Sequence, residues 1–226
     1  MKRVYNIAVD GPAGAGKSTI AKSAAEKLNF VYVDTGAMYR AMALHFLRNG
    51  IPAGDEAAVS QSAKEVDVTI SYENGVQQVI LNGENVSGLI RSSEVSAMAS
   101  AASVYMPVRE KLVELQKNLA LKENVIMDGR DIGTCVLPHA DLKIYLTASS
   151  QVRAQRRYQE LAAKGEECSL EEIEKDIIER DYRDMNRENS PLKQAEDAVL
   201  VDTSHMTVPQ VVDRILELFH EKRMKE

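Results

Sequence analysis

The chain has 226 residues, 44% apolar and 27% charged, with 28 Lys and Arg against 34 Asp and Glu for a formal charge of −6. That length accommodates one α/β domain with an insertion, or two small domains, around a sizeable core. The acidic balance argues against a protein that coats nucleic acid, and no apolar run approaches the ~20 residues of a membrane helix, so neither partner is expected.

In chain order, the first apolar run covers 4–9, is interrupted by Asn6 and closes at Asp10. It is shorter than an export signal, and a cytoplasmic location is expected. Asp10-Gly-Pro-Ala-Gly-Ala-Gly-Lys-Ser-Thr19 follows at once and contains G-x-x-x-x-G-K-S between a strand and an Ala-rich helix, the context that motif requires. Its glycines let successive N–H groups of Gly11, Pro12's neighbours, Ala13, Gly14, Ala15 and Gly16 line a concavity for polyphosphate oxygens, above a positive helix end. Lys17 can reach the β- and γ-phosphates, and the Ser18 hydroxyl, next to Thr19, can ligate Mg²⁺. The N-K-x-D tetrapeptide by which GTPases usually select guanine is missing from the sequence, so the expected donor is ATP.

A second strand, 31–33, runs into Asp34-Thr-Gly-Ala-Met-Tyr-Arg40. Residues 66–72 alternate, Glu73-Asn-Gly75 turns, 76–81 runs extended and Asn82-Gly83 turns again, a hairpin signature. Two readings stand for it: a surface hairpin, or part of a substrate-covering subdomain, which its position favours. The third core strand, 125–127, ends in Asp128-Gly-Arg-Asp131. In a doubly wound sheet these strand ends should line one crevice with the phosphate loop. Arg40 and Arg130, each in a Gly-containing loop, suit bidentate grasp of an anionic phosphate. Asp128 is placed either to hold Mg²⁺ through water or to serve as a turn or helix-capping residue.

Strands at 142–146 and 199–201 complete five buried strands separated by helices, which points to a parallel sheet with helices on both faces. Ser169-Leu-Glu-Glu172 and Thr207-Val-Pro-Gln210 open the last long helices. Six of the fourteen arginines fall within 151–190. Arg153, Arg156 and Arg157 lie at i, i+3, i+4, and Arg180, Arg183 and Arg187 at i, i+3, i+7, so each triplet is expected on one helix face. Ala163-Lys-Gly-Glu166 separates them. Either triplet alone fits a solvated face; two around a turn fit a helical lid whose arginines stabilise a phosphoryl group in transfer and exclude water. Cys135 and Cys168 have no metal spacing and read as free thiols in a reducing compartment. The four histidines are scattered and read as surface or packing residues.

With D-G-P-A-G-A-G-K-S-T, V-D-T-G-A-M-Y-R, D-G-R-D-I-G-T, E-R-D-Y-R-D-M-N-R and the Ala/Ser-rich run before Pro107-Val-Arg-Glu110, nearly the whole chain resembles bacterial cytidylate kinases. The resemblance implies a phosphate-loop NTPase fold of three layers with a five-stranded parallel sheet, and ATP with CMP or dCMP as substrates. It divides the chain into a core of 1–34, 111–148 and 190–226, a nucleoside-monophosphate-binding insertion of about 35–110 with a small antiparallel sheet, and a lid of about 149–189. By resemblance, Thr35, Arg40, Ser100, Arg109, Arg130, Asp131, Arg180, Asp184 and Arg187 bind CMP. Arg40 and Arg130 hold the phosphate; Ser100, Arg109 and Asp131 read the base; Arg180 and Asp184 meet the pentose; Arg187 belongs to the same pocket. Lys17, Arg130, Arg153, Arg157 and Arg180 are the expected catalytic cations, Ser18 and Asp128 the Mg²⁺ contacts, and a monomer the expected state. Thr35 replaces a frequent Ser, and Lys17-Ser18-Thr19 a frequent K-G-T. Another small-molecule kinase and a nucleotide-gated switch are the competing readings; a switch has no need of a second phosphate site.

Overall fold

The computed structural model describes residues 3–224. It divides into two compact units, one formed by Arg3–Tyr32 with 124–224 and the other by Val33–Glu123.

The first unit is built on β1 (Asn6–Asp10), β6 (Val125–Gly129), β7 (Leu142–Thr147) and β8 (Val199–Asp202); with β2 (Val31–Asp34) they form a five-stranded parallel sheet in the order β2-β6-β1-β7-β8. The central strands β1, β6 and β7 are largely apolar because neither of their faces meets water, whereas the edge strand β8 leaves Leu200 exposed. Ile7, Val9, Ile126, Ile144 and Leu146 are buried with the apolar faces of α1 (Lys17–Leu28) and α8 (Val208–Arg223) in one cluster. Phe219 anchors it, stacking edge-on against Tyr5 and Phe30 with centroids 5.7 and 5.5 Å away. At the start of α8, Gln210 Oε1 accepts from the Thr207 N–H at 2.8 Å, satisfying an amide at the helix entrance. Register matters for the site: Val9 lies beside Asp128, and Asp10 beside Gly129 and Tyr145.

Two further helices, α6 (Ser150–Ala163) and α7 (Leu170–Asn186), pack on each other and are separated by a turn in which Gly165 takes φ +76°. Ser149 and Ser169 cap them, accepting from the N–H groups of Val152 and Glu172.

The second unit contains α2 (Thr35–Arg48), α3 (Glu56–Glu65), the antiparallel strands β3 (Val68–Glu73), β4 (Val76–Leu81) and β5 (Glu84–Asn85), then α4 (Ser93–Ala102) and α5 (Met106–Ala120). Both Asn-Gly pairs, Asn74-Gly75 and Asn82-Gly83, take positive φ at both positions, as tight hairpins between right-twisted strands require. Buried Met38, Met42, Phe46, Val59, Val79, Leu81 and Leu112 make its core. All of α5 belongs to this unit, so the unit extends to Glu123. Among the described residues no helix is long and apolar enough to cross a membrane.

Candidate active site

The loop after β1 is shaped by glycine at the points where a side chain cannot go. A Cβ on Gly11 would run into the carbonyl oxygen of Leu146 on β7, and Gly14 and Gly16 adopt φ +74° and +86°. Lys17 opens α1, is 6% exposed and donates from Nζ to the Pro12 carbonyl at 2.8 Å, closing the loop on itself. Burial, then the charge of Arg130, push its pKa down to about 7, against the opposing pull of Asp128 and Asp10. Ser18 Oγ donates to Asp128 Oδ2 at 2.7 Å, and Tyr32 OH to Asp128 Oδ1 at 3.1 Å. A hydroxyl and a carboxylate thus meet beside the phosphate loop, the hard oxygen donors Mg²⁺ prefers. It is Ser18, not Thr19, whose hydroxyl faces that carboxylate.

The segment after β6 belongs to the same unit. Arg130 Nε donates to Asp184 Oδ2 of α7 at 2.9 Å, and both side chains are largely buried. Asp131 Oδ1 lies 3.5 Å from Arg187 Nη2, whose Nε donates to the Ser190 carbonyl at 2.7 Å. The structure therefore brings Arg130, Asp131, Asp184 and Arg187 together. Arg180 lies near enough for its charge to act on Lys17.

The arginines of the two expected triplets part company. Arg153 is buried and donates to Ala148 O (2.9 Å) and Ala13 O (3.0 Å) while pairing with Asp181 at 2.7 Å. Arg156 is spent on Thr203, through its hydroxyl and its carbonyl. Arg157 alone points outward, 3.2 Å from Glu160. In the second triplet Arg183 stays on its own helix, bonding Glu179 O. Arg187 lies beyond the helix end with extended backbone, φ −65° and ψ 142°. Its Nε reaches the carbonyl of Ser190, a residue with φ +49°, so the segment has already left the helical path. The expected shared face therefore breaks at Asn186.

In the second unit Asp34 caps α2: its Oδ1 accepts the Ala37 N–H at 2.8 Å, and its Oδ2 takes Arg40 Nη2 at 3.0 Å. The Arg40 guanidinium lies over Gly36, where a Cβ would come within 3.1 Å of Nη1. Gln77 of β4 brackets Asp34, accepting its N–H at 2.9 Å and donating to its carbonyl at 3.1 Å. The hairpin is thereby tied to the strand end rather than left as a surface ornament. Thr35 is buried in the first turn of α2. Arg109, 3% exposed in the first turn of α5, donates to Ser103 O at 3.5 Å and lies 5.9 Å over the Tyr39 ring. Ser100 sits in the last turn of α4.

Four contributors carry no role in the sequence reading. Tyr32 bonds Asp128; Tyr39 lies under Arg109; Arg91 approaches Asp34 Oδ2 at 3.7 Å; and Asp10 caps the turn after Asp131. Asp10 and Tyr39 had a local signal, their places at the head of the glycine-rich motif and beside Arg40.

Comparison with known proteins places the chain in a family. The family described as cytidylate kinase matches residues 7–221. A cytidylate kinase of Desulfitobacterium hafniense (strain Y51) is 50% identical over 222 residues, covering 98% of this chain and 95% of that protein. One of Listeria innocua serovar 6a (strain ATCC BAA-680 / CLIP 11262) is 50% identical over 223 residues, covering 98% and 99%. In fold, a shikimate kinase from Bacteroides thetaiotaomicron superposes with a TM-score of 0.51 at 16% identity, covering 96% of this chain and 98% of that one. The chain belongs to the cytidylate kinase family, enzymes of the nucleoside monophosphate kinase class.

Proposed function

We propose that this protein transfers the γ-phosphoryl group of ATP to CMP or dCMP, giving ADP and CDP or dCDP. The observation that carries the reading is the register of β1 and β6. It sets the phosphate loop, with Lys17 and the Ser18–Asp128 pair, beside a second loop bearing Arg130 and Asp131. A protein that only held ATP would have no use for the second loop.

The acceptor phosphate is itself a nucleophile, so positioning and charge neutralisation supply the catalysis. Lys17 exchanges the Pro12 carbonyl for β- and γ-phosphate oxygens. Arg40 and Arg130 hold the acceptor phosphate, and Thr35 lies in the same acceptor set. Ser100, Arg109 and Asp131 take the cytosine, whose amino group, ring nitrogen and carbonyl match a carboxylate and a guanidinium, and Arg187 belongs to the same pocket. Arg180 and Asp184 take the pentose. Arg153, Arg157 and Arg180 are the lid's cations; Arg153 already steadies the loop through Ala13 O.

Among the described residues no three or more His, Cys, Asp or Glu side chains gather as a metal cage. The donor set fits a cation held mainly by phosphate and water, with Ser18 Oγ as direct ligand and Asp128 through water. When bound, Mg²⁺ neutralises charge on the β- and γ-phosphate oxygens. The enzyme is read as a cytoplasmic monomer.

A coupled ADP-release assay offering CMP, dCMP, UMP, AMP and shikimate separately tests the assignment. CMP and dCMP should turn over fastest. Background rates with CMP alongside clear turnover of another acceptor would overturn it.

A further inference from the structure

Asp10 is the last residue of β1, and its neighbour Gly11 begins the phosphate loop. Its carboxylate is buried, yet no part of the proposed reaction uses it. Oδ1 accepts the Ile132 N–H and Oδ2 the Gly133 N–H, each at 2.7 Å. These are the leading amides of a single π-turn, Ile132–Val136, closed by bonds from Val136 N to Asp131 O and from Leu137 N to Ile132 O. Leading amides of a helical turn have no partner inside it. Asp131, the residue just before them, makes no side-chain cap; its carboxylate faces Arg187 instead.

The cap therefore comes from another strand, and a carboxylate is suited to it because it offers two acceptor oxygens to two adjacent donors. Burial makes this costly and pushes the Asp10 pKa up to about 6. The fit leaves little slack. A Cβ on Gly133 would approach Asp10 Oδ2 to 3.3 Å and Lys143 Cδ to 3.1 Å. Lys143 is itself fixed, donating to Pro138 O and Asp197 Oδ1 at 2.6 and 2.8 Å.

We infer that Asp10 is a positioning residue for the acceptor: by holding the amides of Ile132 and Gly133 it sets the main chain from which Arg130 and Asp131 project. It anchors them to the strand end from which the phosphate loop springs. The inference rests on the reading of Arg130 and Asp131 as acceptor-binding residues.

Steady-state kinetics with CMP and ATP varied separately test it, on wild type, Asp10→Ala, Asp10→Asn, Asp131→Ala and Phe219→Leu. Phe219 lies in the helical core, so its variant controls for lost stability alone. Asp10→Ala should raise the KM for CMP about tenfold, as displacement of a binding group by a fraction of an ångström does, and leave the KM for ATP within about twofold. Asp10→Asn keeps one acceptor oxygen and should shift the KM for CMP in the same direction, carrying the test if the alanine variant does not fold. Phe219→Leu should lower the Tm and move neither KM. If the Asp10 variants lose Tm with both KM values unchanged, or shift both equally, the inference falls. If Asp131→Ala leaves the KM for CMP untouched, the acceptor reading itself falls; a response to Asp131→Ala with none to the Asp10 variants sinks this inference alone.

Discussion

Arg153 Nη2 lies 2.7 Å from Asp181 Oδ2, with the two side chains 7% and 12% exposed. The same guanidinium bonds Ala148 O at the end of β7 and Ala13 O in the phosphate loop. One side chain thus joins α7, a core strand end and the donor cradle. Removing the carboxylate would leave a buried cation without its counter-charge, a change that costs about 3–5 kcal/mol. Asp181→Ala is expected to lose stability on that scale in urea unfolding. Arg157, whose partner Glu160 is exposed, should change stability by less than about 1 kcal/mol when replaced by alanine. Similar losses for the two variants would show that the buried pair does not tie the helices to the loop.

The Ser18–Asp128 hydrogen bond separates two neighbouring hydroxyls that the motif leaves equivalent. Ser18 Oγ reaches the carboxylate at 2.7 Å, so it is the hydroxyl placed to enter a shell with water and phosphate oxygens. Ser18→Ala should raise the Mg²⁺ concentration for half-maximal turnover about tenfold or more, and Thr19→Ala should leave it near wild type. Asp128→Asn should resemble Ser18→Ala. Magnesium titrations of the initial rate check this, and the reverse order for the two hydroxyls would transfer the ligand to Thr19.

What could be read from the chain beforehand follows the range of the signals. The five core strands, the two Asn-Gly turns, the phosphate loop and the break at Gly165 each rest on residues within a few positions of one another. The π-turn at Ile132–Val136 lacks such a marker and appears only in the fold, while the helix Glu56–Glu65 has one, its Asp55 cap, that the sequence reading passes over. Salt bridges to the arginines of 151–190 could be expected from the nearby Asp and Glu residues, but their partners could not be read. Arg130 and Asp184 are 54 positions apart, and Arg187 and Asp131 are 56 apart. The spacing of Arg153, Arg156 and Arg157 suggests one face, yet their long side chains diverge to Asp181, Thr203 and Glu160. Helical periodicity sets where a Cβ points, and the rest of a long arginine side chain is free to follow local acceptors.

Asp10 should leave a mark on stability as well as on kinetics. Its carboxyl is raised from 3.8 to about 6, chiefly by burial and further by the charge of Asp131; the Ile132 and Gly133 amides and Lys17 pull the other way. Between those two values the folded chain binds a proton that the unfolded chain has released. The contribution of this group is therefore fully present below about pH 4 and is lost as pH rises through about 6, a change of about 3 kcal/mol. The stability difference between wild type and Asp10→Asn should narrow by that order from pH 4 to pH 7, and the Asp10 carboxyl carbon should titrate near pH 6 by NMR. A midpoint at or below 4 would mean the two amides outweigh burial.

The last prediction concerns the start of α2, where Gly36 makes room for a cation. Arg40 folds back over Gly36 to reach Asp34 Oδ2 at 3.0 Å, and a Cβ at position 36 would sit 3.1 Å from Nη1 and 3.2 Å from Asp34 Oδ1. Alanine there is compatible with a helix, so it should cost little stability while pushing the guanidinium off its seat. If Arg40 grips the acceptor phosphate, Gly36→Ala should raise the KM for CMP severalfold, and Arg40→Lys about tenfold or more, because an ammonium cannot make the paired bonds of a guanidinium. Neither should alter the KM for ATP by more than about twofold, since the donor cradle is built from main-chain amides and Lys17. Measured against CMP and against cytidine as a competitive ligand, the loss should appear with the phosphate and vanish without it. An equal weakening of cytidine would move Arg40 from the phosphate to the nucleoside.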